Sequence, residues 1–274
     1  MLINAVPQRH GALGPRADRL PRGCRALAEL VGEVFDELVH EVHVDCADSA
    51  TVDGIANRET LIRNRTSQLR ALEAPGGPVL TIGGDCGVEL VPLGVARYRY
   101  GRGFGVVWFD AHPDLNTAAT SPSGAFHGMV LRSAFGEGDS DFAASPELVP
   151  GRVVLAGTRA FDPAEREGVD AGLASLVSVR ELADPERLVS AVRTSGAGQL
   201  YVHIDLDVLD PGEFGGLNFP EPGGLRIPEL VAAVRSLAVF DVVGAGITEC
   251  ASDDRAELRA LVPVLEAVGE LLEA

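Results

Sequence analysis

Two hydrophobic patterns alternate along the chain. In "CRALAELVGEVFDELVHEV" (24–42), "TLIRNRTSQLRALEA" (60–74), "GVELVPLGVARYR" (87–99), "DPERLVSAVRTS" (184–195), "RIPELVAAVRSLAV" (226–239) and "DDRAELRALVPVLEAVGELLEA" (253–274), apolar residues recur at helical spacing. "VLRSAFG" (130–136) reads as a shorter helix. Between them lie short apolar runs that read as strands: "PVLTIGG" (78–84), "FGVVWFDAH" (104–112), "RVVLAGTR" (152–159), "QLYVHIDLDVL" (199–209) and "DVVGAGITEC" (241–250). Several are apolar almost without interruption, as expected of strands covered on both faces. The breaker "PGGP" (75–78) separates the second helix from the first of these strands.

Strand and helix in alternation predict an α/β fold: a mostly parallel sheet between two helical layers, a three-layer αβα sandwich. No internal repeat or low-complexity linker divides the chain, so residues 1–274 are expected to form a single domain. Such sheets bind ligands beyond the carboxyl ends of their strands. The polar residues gather at those ends: Asp85-Cys86 after one strand, Asp110-Ala111-His112-Pro113-Asp114 after the next, Asp205 and Asp207 late in a third, Glu249 at the end of a fourth.

Composition narrows the class. With 46% hydrophobic and 23% charged residues, the chain can bury a full core. A formal charge of −17, from 40 acidic and 23 basic residues, argues against nucleic acid or an anionic membrane as partner. The N-terminus lacks a basic start followed by an apolar stretch, and no apolar run is long enough to span a bilayer. Cys24, Cys46, Cys86 and Cys250 are widely spaced, which fits a reducing cytoplasm better than a disulfide framework.

A single aspartate at a strand end is as well explained by a turn or a helix cap. Asp110, Asp114, Asp205 and Asp207 in one crevice are another matter, because like charges that close oppose one another. Divalent cations relieve that conflict, and several aspartates with a histidine suit hard or borderline ions such as Mn²⁺ or Mg²⁺. Alternation along "DLD" is expected to send Asp205 and Asp207 to one face of their strand. A turn at Pro113 is expected to gather Asp110, His112 and Asp114. Two bridged cations can activate water at neutral pH, so the pattern predicts metal-assisted hydrolysis without naming the bond broken.

"GGDC", "DAHPDLNT", "SPSGAFHGM", "HIDLDVLDP…PEPGGL" and "ITEC" resemble, in this order, the motifs of the arginase and agmatinase (ureohydrolase) family, from about residue 79 to 255. The resemblance implies an arginase-like fold whose two Mn²⁺ ions serve hydrolysis of guanidinium groups. By matched position it places Cys86, Asp110, Asp114 and Asp205 round the first ion. His112, Asp110, Asp205 and Asp207 fall round the second, with Asp110 and Asp205 bridging. It further implies that Asp114 takes a proton from the attacking water, Glu249 pairs with the guanidinium-like group and His127 shuttles a proton toward the leaving amine. Asn116 and Ser123 fall where arginases hold the substrate α-carboxylate, and Asp162 where they hold the α-amino group. The implied partner is a small amino acid, and the oligomeric state stays open.

The chain departs from the family pattern in five places. Cys86 stands where the motif "GGDH" supplies a histidine, which implies weaker or partial occupancy of the first metal position. The alternative is that Cys86 is a small buried residue that never touches metal. His203 stands where the family usually has Ser or Thr, and is expected to be a supporting group at most. "GLNFPEPGG" stands where the family has "GTGTPEPGG", so Leu217, Asn218 and Phe219 replace a hydroxyl-bearing loop; Ala125 and Ala160 replace polar residues. These changes imply an arginine analogue modified at its terminal nitrogen. Within the family, the cysteine-for-histidine exchange resembles the branch that converts Nω-hydroxy-L-arginine to L-ornithine and hydroxyurea in biosynthesis of the antibiotic D-cycloserine. An ordinary arginase, another guanidino-acid hydrolase, or a family member that binds without turnover are the competing readings. Cys24 and Cys46 read as packing residues, Cys250 as strand lining, and His10, His40 and His43 have no partner at a telling spacing.

Overall fold

The computed structural model describes residues 1–72 and 77–273. Its centre is an eight-stranded sheet in which every neighbouring pair is parallel. The strands are β1 (Leu2–Val6), β2 (Val39–Glu41), β3 (Val79–Gly83), β4 (Phe104–Phe109), β5 (Val153–Ala156), β6 (Ala174–Val177), β7 (Gln199–Asp205) and β8 (Asp241–Thr248), in the order β2-β1-β3-β8-β7-β4-β5-β6. The helices are α1 (Leu20–Phe35), α2 (Arg58–Ala71), α3 (Leu90–Tyr100), α4 (Val130–Ala134), α5 (Pro163–Asp170), α6 (Val179–Leu182), α7 (Pro185–Ser195), α8 (Ile227–Ser236), α9 (Arg255–Leu258) and α10 (Val262–Glu273).

Successive side chains of a strand face opposite ways, and here both faces are covered. Val107 and Phe109 of β4 pack with α1, α7, α8 and α10 on one side. Val106 and Trp108 pack with α2, α3 and α4 on the other. That is the three-layer αβα sandwich the alternating pattern predicts. Among the described residues no helix is long and apolar enough to cross a membrane, and all four cysteines are free.

Three strands are absent from the pattern reading. The edge strands β2 and β6 have three and four residues, and β1 covers only "LINAV"; runs so short carry little periodicity. The expected 24–42 helix stops at Phe35, because Asp36 turns left-handed (φ 51°) and its N–H closes on the Gly32 carbonyl. The residues beyond it then form β2. The expected C-terminal helix is broken by a 3₁₀ turn at Arg259–Leu261. Pro263 has no N–H to continue the α9 ladder, but it is tolerated in the first turn of α10. Of the "PGGP" breaker, Pro75 and Gly76 lie outside the described residues, as do Glu73, Ala74 and Ala274.

Topology opens the crevice. From β3 the chain crosses to β4 three places away, and β7 and β8 return later to fill the gap. The carboxyl ends of β3, β8, β7 and β4 therefore lie side by side, and these are the strand ends that carry the polar clusters.

Candidate metal centre

The loop after β3 is built by its neighbours. Gly84 passes so close to the Gln8 carbonyl that no side chain would fit. The buried Asp85 carboxylate accepts from Gly11 N (2.9 Å), Gly87 N (2.9 Å) and Gln8 Nε2 (3.1 Å). Its pKa is pushed up to about 6 by burial and the charge of Glu249, against those bonds. Asp85 is thus a clamp rather than a member of the cluster, and it aims the next residue inward. Cys86 Sγ lies 3.0 Å from Asp205 Oδ2, 3.0 Å from Thr248 Oγ1 and 3.6 Å from His203 Nε2.

At the end of β4, Asp110 is held from two sides. Trp108 Nε1 donates to its Oδ2 (3.0 Å) and His112 N to its Oδ1 (2.6 Å). His112 Nδ1 is 3.0 Å from Asp207 Oδ2 and 3.5 Å from Asp110 Oδ1. Asp114 adopts a left-handed backbone (φ 53°), which turns its side chain back into the crevice, and its buried Oδ2 has no hydrogen-bond partner. Asp205 closes β7, and its Oδ1 accepts from Asp207 N (2.7 Å). Asp207 is not brought round by strand alternation as expected: β7 has ended, and a 3₁₀ turn at Leu206–Val208 carries it beside His112. Its Oδ1 accepts from Ala111 N (3.0 Å). Past β8, Glu249 is also left-handed (φ 63°). Its Oε1 accepts from Cys86 N (3.0 Å) and lies 3.2 Å from His127 Nδ1. Its Oε2 accepts from Asn218 Nδ2 (2.9 Å), while Asn218 Oδ1 is buried without a partner.

The electrostatics of the crevice follow from burial and like charge. Burial, then the charge of Asp207, pushes Asp110 up to about 6. Asp205 and Asp114 rise well above the carboxylate range for the same kinds of reason. Burial and four neighbouring carboxylates push the Cys86 thiol far up. Burial opposes charge on Asp207 and on His112, but their mutual contact outweighs it, lowering the acid and raising the base. His127 behaves similarly, with burial outweighed by Glu249. One imidazole cannot neutralise four buried aspartates.

Among the described residues, the donor atoms fall into three groups whose members lie within 4.8 Å of one another: Cys86, Asp110 and His203; Cys86, Asp205 and Glu249; Asp110, His112 and Asp207. With the unpartnered Asp114 Oδ2, this oxygen-rich set fits hard or borderline divalent cations. Of the sequence-predicted metal residues, Cys86, Asp110, His112, Asp205 and Asp207 fall in these groups, and Asp114 does not.

The predicted substrate residues are placed less uniformly. Asn116 Nδ2 donates to Asp162 Oδ2 (2.8 Å), so these two meet at the crevice rim. A capping box with Glu165 fixes Asp162 at the start of α5. Ser123 instead turns its hydroxyl toward Ser121 Oγ (3.4 Å) and Ala125 N (3.2 Å). Sequence reading missed Glu89, Trp108 and Thr248. Glu89 reads as an ordinary helix-start acid and Trp108 as a core residue, but Thr248 lies within "ITEC" and was open to notice.

Comparison with known proteins agrees with this geometry. The model of the arginase family matches residues 3–261. The arginase of Bacillus caldovelox is 31% identical, over 76% of this chain and 77% of its own. The N(omega)-hydroxy-L-arginine amidinohydrolase of Streptomyces lavendulae is 29% identical, over 92% of this chain and 90% of its own. Among solved structures, the arginase of Entamoeba histolytica in complex with L-ornithine superposes with a TM-score of 0.85 at 21% identity, covering 100% of this chain and 98% of that one.

Proposed function

The chain belongs to the arginase family, and from that premise we propose that it hydrolyses Nω-hydroxy-L-arginine to L-ornithine and hydroxyurea, in an antibiotic pathway of the D-cycloserine kind. The reading is carried by one observation: a buried thiol, Cys86, lies 3.0 Å from Asp205 where the family motif has an imidazole. Such an exchange weakens the first metal position and favours a substrate easier to attack than arginine. An N-hydroxyguanidine is less basic than a guanidinium, so more of it is neutral and electrophilic. Asn218 Oδ1, an acceptor without a partner beside Glu249, suits the extra hydroxyl.

Two Mn²⁺ ions, when bound, would supply the positive field that lowers the pKa of water to near neutrality. Asp110 and Asp205 would hold both ions, with Cys86 and Asp114 completing the first position and His112 and Asp207 the second. By matched position Asn116 and Ser123 would hold the α-carboxylate, once the Ser123 hydroxyl turns out of its own loop, and Asp162 the α-ammonium. Glu249 pairs with the guanidine and orients its carbon. Asp114 takes the proton of the attacking water. His127, raised by Glu249, gives a proton to the departing δ-nitrogen as the C–N bond breaks. Water thus adds its oxygen to hydroxyurea and its protons to the two products. A soluble cytoplasmic setting accords with the free cysteines.

The test is kcat/KM for hydroxyarginine and for arginine with product identification on manganese-loaded protein. Hydroxyurea as the preferred product supports the reading. A clear preference for arginine, with urea formed, overturns it in favour of an ordinary arginase.

A further inference from the structure

Beneath the first metal position lies a buried row assigned neither to metal nor to substrate. Strand register aligns Trp108, His203, Gly246 and Thr81 across β4, β7, β8 and β3. The Trp108 and His203 rings stack at 3.5 Å with 21° between their planes, which fixes how the imidazole lies. Gly246 offers no side chain, and the Glu89 carboxylate occupies the space a Cβ would need. Glu89 Oε2 is then 3.3 Å from His203 Nδ1, with both residues fully buried. The other ring nitrogen, Nε2, points up into the crevice, 3.6 Å from Cys86 Sγ and 4.0 Å from Asp110 Oδ2.

We propose that His203 is the nitrogen ligand of the first metal, reaching it from the strand floor in place of the imidazole that the loop after β3 lacks. The Glu89 carboxylate is the acceptor beside Nδ1, within ion-pair distance though not aligned as a hydrogen bond; drawn slightly closer it keeps the ring proton on Nδ1 and leaves the Nε2 lone pair free, the arrangement that orients metal-binding histidines. The donor set agrees, since Cys86 Sγ, an Asp110 oxygen and a His203 nitrogen lie within 4.8 Å of one another. Imidazole is also the better partner for manganese. A thiol must shed its proton to bind, and its thiolate is soft, whereas a neutral imidazole binds as it stands. Glu89 acts one step behind, as a positioning residue. The exchange at residue 86 is then partly offset: a nitrogen returns from the neighbouring strand, while the loop keeps the softer thiol and the position stays weaker than one with a loop imidazole.

Metal-free full-length protein is titrated with Mn²⁺, without substrate. Ions per chain are counted by plasma mass spectrometry, and electron paramagnetic resonance is recorded at each addition. Two bridged ions give an exchange-coupled spectrum, and one alone gives six lines. The wild type is expected to take up two ions. His203→Ser should hold one, with a six-line spectrum and the second ion weakened by at least roughly tenfold. Because that variant leaves Glu89 buried beside no imidazole, the double variant Cys86→His/His203→Ser serves as the control. Returning the nitrogen to the loop should restore the second ion. The proposal is overturned if His203→Ser keeps two ions at wild-type affinity, or if the wild type never takes up a second. A double variant that stays at one ion with a native circular dichroism spectrum overturns it too. The count is made without substrate, so its failure leaves the hydroxyarginine reading standing.

Discussion

The two metal positions share Asp110 and Asp205 by matched position, yet they are built on different terms. At the second, half-buried His112 meets Asp207 at 3.0 Å, and each stabilises the charge of the other before any cation arrives. At the first, every neighbour of Cys86 is buried, and the carboxylates around it raise one another and the thiol. One set pairs an imidazolium with a carboxylate, and the other gathers like charges round a thiol.

The largest expected effect erases the difference between the positions. Asp110→Asn removes a carboxylate common to both, and activity should fall by about 10³-fold, comparable to losing a main electrostatic group at a reacting centre. Metal content measured alongside should fall with it. His127→Asn should separate chemistry from metal binding. Loss of a proton donor lowers kcat by on the order of 10²-fold, and the manganese count should stay at its wild-type value.

Cys86→His acts on the weaker position alone. An added loop imidazole should tighten the first ion by roughly tenfold, in the range typical of ligand-shell changes. Arginine hydrolysis should rise with it, and equal metal affinity in wild type and variant would contradict the contrast drawn above. Acid sharpens the contrast further. Burial and the charge of Asp207 push Asp110 up to about 6. Below that pH a cation must displace its proton, so manganese uptake weakens as pH falls through 6 and strengthens above it. The Cys86 thiol and the His112 imidazolium both hold their protons more tightly than usual, so filling of either position should release protons, read as a buffer-dependent heat in a calorimetric titration.

The smallest effect is on stability. Gly11→Ala would press a methyl group onto the Asp85 carboxylate that aims the Cys86 loop. It should cost about 1–3 kcal/mol in chemical denaturation, as small-to-large changes in packed sites do. It should disturb the first metal position while leaving His112 and Asp207 alone.

The parts legible in sequence were those with strong local signals. β3, β4, β5, β7 and β8 are apolar runs, and Cys86, Asp110, His112, Asp114, Asp205 and Glu249 follow four of them directly. β1, β2 and β6 were not legible, because their pairing partners rather than their own periodicity make them strands. Asp207 was found for a partly wrong reason. Alternation holds only while the strand lasts, and here the chain had already turned. Ser123 was assigned with Asn116 by matched position, but its hydroxyl bonds within its own loop.

By itself the sequence determined the layered α/β class, the crevice at the strand ends and the demand for divalent cations, because repeated pattern and like charge are properties of the chain in order. Only the tertiary structure decided how His203, Glu89 and Trp108 meet under that crevice. They lie on β7, on the turn before α3 and on β4, far apart in the chain, and only strand order and register set Nε2 toward Cys86. A glycine at 246 makes the room, and no local signal could announce what would fill it.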